Sequence, residues 1–210
     1  MSRPRVLLAD DHPATLDSFR AILQAEYDVV ESVSDGAAAL AAARRHQPDV
    51  SVMDISMPGL SGIEVCRQLR RSVPQARVVI ASTHDDLAYV TGAFHAGACG
   101  YVLKDRAALE LPLALRLALD GQAHLTPSLR LKLWDDRTTG PERLAGLTAR
   151  QRQLVTMVGL GMSTKEIASA MGIAFKTAVR RRDAAMRALG IQQNSDLMRY
   201  AIRCRMPDLG

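Results

Sequence analysis

Residues 5–13 read RVLLADDHP, and this stretch does most to decide the fold class. Four apolar residues precede two adjacent acids, Asp10 and Asp11, and Pro13 follows shortly after. A short apolar run bounded by turn signals is consistent with a strand buried on both faces. Pro13 suits the first turn of a helix, where its missing N–H costs nothing. The stretch therefore predicts a buried strand, an acidic turn and a helix.

The same alternation continues over the first 120 residues. Strands are predicted at residues 5–10, 29–33, 49–54, 77–82 and 100–104. Amphipathic helices are predicted between them, at residues 13–25 and 62–72 among others. A last helix spans 107–119 by its pattern, but Pro112 in its interior would cost about 3 kcal/mol, so its start is predicted late, near Leu111. Alternating strands and helices predict an α/β fold, with a parallel five-stranded sheet covered on both faces.

The rest of the chain is predicted to be helical. Residues 122–145 are rich in turn residues and are interpreted as a linker, although Leu129, Leu131, Leu133 and Trp134 suit a short helix. Thr148 begins a helix that Gly161 ends, and Ser163 with Glu166 forms a capping box before a helix at 164–171. Further helices are predicted at 175–189 and 195–203. Two helices joined at Gly172 make a helix-turn-helix candidate, so the predicted domains are 1–121 and 146–210.

Composition and charge narrow the function classes. The chain is 48% apolar, and none of its apolar runs approaches the roughly 20 residues that span a bilayer, so a cytoplasmic protein without membrane contact is expected. Cys66, Cys99 and Cys204 show no metal-binding spacing and are interpreted as packing residues. Residues 1–122 carry net charge −3, whereas residues 147–210 carry +7. An acidic front half and a basic back half predict two tasks, the second involving a polyanion.

Polar side chains end several of the predicted strands. They are Asp10, Asp11, Asp54, Ser82 and Lys104. Because ligands of open parallel sheets bind outside the carboxyl ends of the strands, these side chains are expected to converge. Clustered carboxylates repel one another, and a hard divalent cation, Mg2+, fits the oxygen ligands best. The pocket predicts phosphoryl transfer to Asp54, although any single Asp in such a place is more often a helix cap.

A nucleotide-binding interpretation fails on two counts. The first turn, DDHP, has no glycine, and its two anions would repel a pyrophosphate. The stretch GLGMSTK at residues 159–165 has the wrong spacing for a phosphate loop and joins two helices.

Nearly the whole chain resembles response regulators of the NarL/FixJ type, in which a receiver domain precedes a LuxR-type DNA-binding domain. The matching stretches are LLADDHP at 7–13, MDISMPGLSG at 53–62, IASTHDD at 80–86, AGACGYVLKD at 96–105 and the segment 147–191. The resemblance implies a flavodoxin-like, doubly wound receiver followed by an all-α four-helix domain. It also implies a regulator of transcription rather than an enzyme.

The resemblance implies roles for the pocket residues. Asp54 would accept a phosphoryl group from a sensor histidine kinase. Mg2+ would be held by Asp11, Asp54 and the backbone carbonyl of Ser56, with Asp10 supporting through water. Lys104 would pair with the phosphoryl group. Ser82 would move toward it, with the neighbouring Thr83 as an alternative. Tyr101 would change its rotamer. His84 lies where the family tunes phosphate loss, but a solvated loop histidine is the favoured interpretation.

The resemblance also makes residues 175–189 a recognition helix for double-stranded DNA. The predicted DNA contacts are Lys165, Lys176, Thr177, Arg180, Arg181 and Arg182. The last helix would add a homodimer contact in the phosphorylated protein, although core packing is the default interpretation of its apolar stripe. The sequence departs from the family at Ala174, Ala178, Val179 and Asp183.

Two other functions stay open at this point. A regulator that sequesters a protein partner would account for Val179 and Asp183 in the recognition helix. A Mg2+-dependent phosphohydrolase is the enzyme alternative. Such enzymes usually have two acids separated by one other residue on a strand, whereas Asp10 and Asp11 are directly adjacent.

Overall fold

The computed structural model describes residues 3–135, 146–159 and 162–192, together with residues 194, 197, 198, 200 and 201. The chain divides into two units, residues 1–120 and 121–210. The predicted domain boundaries stay a prediction. The segment predicted as a linker, residues 122–145, contains secondary structure: residues 124–125 form a strand, and Pro127–Asp135 forms a helix.

A parallel sheet organises the first unit. Its strands are β1 (Arg5–Ala9), β2 (Asp28–Val33), β3 (Val50–Met53), β4 (Val78–Ser82) and β5 (Gly100–Leu103). Within the first unit the strand order is β2-β1-β3-β4-β5, and a sixth strand, β6, consists of the two residues His124–Leu125 in the second unit. The four ladders that join β1 to β5 are all parallel. The prediction of five strands was therefore one short, because a two-residue strand has no periodicity to detect.

Helices cover both faces of this sheet. They are α1 (Pro13–Leu23), α2 (Gly36–His46), α3 (Gly62–Ser72), α4 (Leu87–Ala96) and α5 (Ala107–Leu119). Helices α1 and α5 pack together, and α2, α3 and α4 pack in series. Val6, Leu7 and Leu8 of β1 are all fully buried, as a strand covered on both faces requires. The predicted doubly wound α/β class is confirmed.

Helix α5 begins earlier than the sequence predicted. The interior position of Pro112 placed the start near Leu111, but the helix begins at Ala107, directly after a 3-10 turn over Lys104–Arg106. Ala107 and Leu111 are both buried in the core that includes β1 and β3. Packing of the first turn therefore outweighs the hydrogen bond lost at Pro112, and the late start was wrong.

The second unit is mainly helical. It contains α6 (Pro127–Asp135), α7 (Ala149–Gly159), α8 (Thr164–Ala170) and α9 (Phe175–Ala188). The backbone is again helical at residues 194, 197, 198, 200 and 201, and the other residues of the helix predicted over 195–203 lie outside the described residues, as do Gly161 and Cys204. Leu147, Val155, Met186 and Leu197 belong to one apolar core. Of the stripe predicted for the last helix, Leu197, Met198 and Ala201 are buried, and Ile202 lies outside the described residues.

Candidate functional site

The carboxyl ends of four strands bring together the polar side chains that the sequence singled out. Asp10 directly follows β1, Asp54 follows β3, Ser82 ends β4 and Lys104 follows β5. Asp10, Asp54 and Ser82 are all buried, whereas Ser56, two residues after Asp54, is exposed. Burial of two acids at one sheet edge needs a compensating positive charge.

Lys104 supplies that charge. Its Nζ lies 2.7 Å from Asp10 Oδ2 and 2.9 Å from Asp54 Oδ2. Burial opposes the charged form of Lys104, but hydrogen bonds and charge from Asp10 and Asp54 outweigh it and raise the pKa of the ammonium group. Lys104 is therefore a fixed cation between two buried carboxylates, with 14% of its side chain exposed.

Backbone contacts fix the position of Asp54. Its N–H donates to the carbonyl of Ala9 at 2.8 Å, and its Oδ1 accepts from the N–H of Ile55 at 2.7 Å. Gly62 begins α3 directly against this backbone, since a Cβ at Gly62 would lie 2.0 Å from the Asp54 carbonyl oxygen. The approach of α3 therefore requires glycine at this position, and α3 packs directly against the backbone of Asp54.

Asp10, Asp11 and His12 form a second part of the pocket. One possible ligand atom from each lies within 4.8 Å of the others. His12 Nδ1 is 2.6 Å from Asp11 Oδ1, and the His12 N–H donates to Asp10 Oδ1 at 3.0 Å. The two carboxylates are oxygen donors of the kind Mg2+ prefers, and the Asp11 side chain is 28% exposed and accessible. This donor set fits a divalent cation, and it includes His12, which the sequence analysis did not select although it follows both acids directly.

His84 connects the remaining pocket residues. Its N–H donates to Ser82 Oγ at 3.2 Å, and its carbonyl accepts from the Tyr101 hydroxyl at 2.7 Å. Its Nε2 lies 2.9 Å from Ser56 Oγ, and its ring stacks on Tyr89 with ring centroids 4.2 Å apart. The interpretation of His84 as a solvated loop residue was therefore wrong. It is half-buried and contacts four neighbours: Ser82, Tyr101, Ser56 and Tyr89.

Tyr101, whose hydroxyl donates to the His84 carbonyl, is fully buried. Burial raises the pKa of its hydroxyl, and a hydrogen bond with Ser82 opposes that rise. A buried phenol that donates to a loop carbonyl links β5 to the loop after β4. Ser82 and Tyr101 thus belong to one hydrogen-bonded group with His84, and their roles in switching stay a prediction.

In the second unit, α8 and α9 are joined by a tight turn. Gly172 adopts a φ of 61°, the left-handed conformation that glycine tolerates. The predicted capping box is present, with Glu166 N–H donating to Ser163 Oγ and Ser163 N–H donating to Glu166 Oε2. Ala174 gives α9 no side-chain cap, as expected from its sequence. The predicted pair of helices with a short turn is confirmed.

The predicted DNA-contacting residues occupy different environments. Lys165, Lys176 and Arg180 are exposed, and Thr177 and Arg181 are half-buried. The Arg182 side chain is only 17% exposed, and it donates to Thr164 Oγ1 at 2.9 Å. This contact joins α9 to α8, so Arg182 helps to position the helix pair.

Arg130 of α6 is another contact that the sequence analysis missed. Its Nη1 lies 3.1 Å from each carboxylate oxygen of Glu166. Although burial opposes ionisation of Glu166, its bonds to Ser163 and the charge of Arg130 lower its pKa. The segment interpreted as a linker thus contributes to the cap of α8.

A buried acid–lysine cluster at a doubly wound sheet, followed by a helix-turn-helix unit, defines a signalling regulator. The family described as response regulator receiver domain matches residues 6–116, and the bacterial regulatory proteins of the luxR family match residues 145–201. The chain belongs to the response regulators that combine a receiver domain with a LuxR-type DNA-binding domain.

Individual proteins agree with this assignment. The transcriptional regulatory protein MctR of Rhizobium johnstonii is 36% identical over 201 residues, covering 94% of this chain and 92% of that protein. The signal receiver domain of the response regulator NarL from Mycobacterium tuberculosis is 35% identical with a TM-score of 0.56, covering 58% of this chain and 100% of that one. The response regulator RcsB in a complex with DNA is 25% identical with a TM-score of 0.59, covering 95% and 98%.

Membership of this family establishes the general function of the chain. Its members are transcriptional regulators, so this chain is a receiver-controlled DNA-binding regulator and not an enzyme, and the phosphohydrolase alternative is excluded. Among the described residues, no helix has both the length and the apolar character needed to cross a bilayer.

Proposed function

We propose that Asp54 is the phosphoacceptor of a two-component system, with a sensor histidine kinase as the phosphoryl donor. The observation that carries this proposal is the ion pair between Lys104 and Asp54, beside the second buried acid, Asp10. An Asp54 carboxylate oxygen attacks the phosphorus atom of the phosphohistidine. A P–O bond forms, the P–N bond breaks, and its electron pair stays with the imidazole of the kinase.

Lys104 is the group that responds to the new charge. It pairs with Asp54 Oδ2 before transfer, and after transfer the same ammonium is in reach of a phosphoryl oxygen. Asp10 keeps Lys104 at this position from the opposite side. The transfer therefore exchanges one anionic partner of Lys104 for another without leaving the lysine unpaired.

The acids at the end of β1 are the proposed Mg2+ ligands. Asp10 and Asp11 provide oxygen donors, and Asp54 and the Ser56 carbonyl would be the further ligands. Bound Mg2+ would offset the negative charge of the phosphoryl oxygens. Asp54 Oδ1 already accepts from Ile55, and Asp10 already pairs with Lys104, so the chain itself holds both carboxylates in place for the ion.

The loop after β4 is the proposed relay. Ser82 Oγ accepts from the His84 N–H, and the Tyr101 hydroxyl donates to the His84 carbonyl. If Ser82 turns toward a phosphoryl oxygen, the first of these bonds is lost and the loop position that holds Tyr101 changes. The resulting population shift would alter the surface around α4 and β5, through which phosphorylation would favour a homodimer.

The proposed DNA surface is the exposed basic part of the helix pair. Lys176 and Arg180 lie one turn apart on α9, and Lys165 lies on α8. All three are exposed, and the DNA complex of the relative RcsB supports binding through this unit. Arg181 and Thr177 complete the proposed surface, whereas Arg182 supports it from behind through Thr164. A DNA-binding regulator of this kind works in the cytoplasm.

Salt dependence tests this surface. Replacing both Lys176 and Arg180 with alanine is expected to reduce the slope of log K against log salt by about 1.8, since each phosphate contact contributes about 0.9. The measurement is the affinity of the full chain for a duplex of arbitrary sequence at several salt concentrations.

Arg116→Ala is the matched control for lost charge. Arg116 is exposed and paired with Glu26 on the first unit, so its loss should leave the slope unchanged. An unchanged slope in the Lys176→Ala/Arg180→Ala variant would remove both residues from the interface. Absence of salt-dependent DNA binding in the wild type, together with tight binding of a protein, would favour the sequestration alternative.

A further inference from the structure

Phe175 is an exposed aromatic residue at the start of α9. Phe175 is 54% exposed, whereas Ala178, Ala185 and Met186 of the same helix are buried. The core of the unit is thus completed without the phenyl ring. The ring presents apolar surface to whatever α9 binds.

Phe175 lies at the N-terminus of α9. In helix-turn-helix proteins, the N-terminal residues of the second helix contact base edges in the major groove. Phe175 is the first residue of that helix, and the adjacent Lys176 and the next-turn Arg180 are both exposed. An exposed apolar ring at the start of a helix that also carries two exposed cations is compatible with a DNA groove, in which phosphates surround the base edges.

The chemistry of the ring limits which base it can recognise. A phenyl group has no hydrogen-bond donor or acceptor for the polar edges of guanine, adenine or cytosine. Thymine alone presents a methyl group in the major groove, and apolar side chains contact it there. Ala174, directly before Phe175, also has no polar group, and it gives α9 no side-chain cap.

We propose that Phe175 selects thymine by packing against its 5-methyl group. The inference rests on the proposed DNA surface and adds the base that this surface prefers. Burial of one methyl group corresponds to an affinity difference of about fourfold. The contact would give the recognition helix a preference that its departures at Ala178 and Val179 do not remove.

The test compares duplexes that differ only in methyl groups. The full chain, treated with beryllofluoride and Mg2+, first selects duplexes from a randomised pool. The selected duplex is then synthesised with thymine and with deoxyuridine at each thymine position. We expect deoxyuridine at one thymine position to weaken wild-type binding about fourfold. Phe175→Ala should bind the thymine duplex more weakly than the wild type does, and it should bind the thymine and deoxyuridine duplexes with equal affinity.

Leu131→Ala is the matched control. Leu131 is 68% exposed on α6 of the same unit, so its loss should leave discrimination between thymine and deoxyuridine intact. The proposal is overturned if wild type binds both duplexes equally, if Phe175→Ala keeps the full discrimination, or if no sequence is selected. In the last case salt-dependent binding to arbitrary DNA would still support the proposed function, so the two failures are distinguishable.

Discussion

Asp54→Ala is expected to gain no phosphoryl group from acetyl phosphate and Mg2+, whereas the wild type gains one. The reason is that Asp54 is the buried carboxylate that pairs with Lys104 directly after the central strand β3. Intact mass measured in acid, where an acyl phosphate survives, checks this result. Equal mass gain in Asp54→Ala would show that another carboxylate is modified.

Two variants make the result specific. Asp105→Asn removes a carboxylate that is 71% exposed and next to Lys104, and it should accept a phosphoryl group as the wild type does. Asp54→Asn keeps the shape of the side chain but loses the nucleophile, and it should fold normally and gain no mass. Modification of Asp54→Asn by the same amount as the wild type would contradict the assignment.

Lys104→Ala is expected to lower the free energy of unfolding of the first unit by about 3 kcal/mol, because it leaves buried acids without their cation. Asp10 is fully buried, and Asp54 is nearly so. Urea unfolding of the full chain, followed by circular dichroism, measures the change. Mg2+ should recover more stability in this variant than in the wild type, since the cation takes over part of the neutralisation.

The pH dependence of this effect has a definite sign. The pKa of Lys104 is raised in the folded chain, so the ion pair contributes its full stability below the ordinary lysine range of about 10.4. That contribution is lost as the pH rises through the higher folded value. The difference between wild type and Lys104→Ala should therefore be constant near neutral pH and shrink only in strong alkali. Lys165→Ala, an exposed lysine of the other unit, should change neither quantity, and a stability equal to wild type in Lys104→Ala would contradict the account.

The sequence predicts the sheet and its polar edge for a physical reason. Apolar runs that end in Asp10, Asp54 and Lys104 specify both the strand and the place where it stops. Parallel topology then brings those ends to one edge, which the structure confirms. The capping box at Ser163 and the turn at Gly172 are equally predictable from the sequence, because each depends on residues that are close in sequence.

Contacts that depend on the direction of side chains distant in sequence cannot be predicted from such local patterns. His84 and Ser56 are 28 residues apart, and Arg182 meets Thr164 across 18 residues. No local pattern specifies such pairs, because they form only when the loop after β4 and the turn before α9 have their final shapes. Pro112 shows that a local pattern can also mislead. A proline inside the helix predicts a late start of α5, but the burial of Ala107 and Leu111 stabilises an earlier one.

Phosphorylation of the first unit must change the action of the second if the chain is a receiver-controlled regulator. The most direct measurement is the DNA affinity of the full chain at fixed salt, with and without beryllofluoride and Mg2+, in the wild type and in Asp54→Ala. The account predicts a change of affinity in the wild type and none in the variant. An affinity that beryllofluoride leaves unchanged in the wild type, or changes equally in Asp54→Ala, would contradict it.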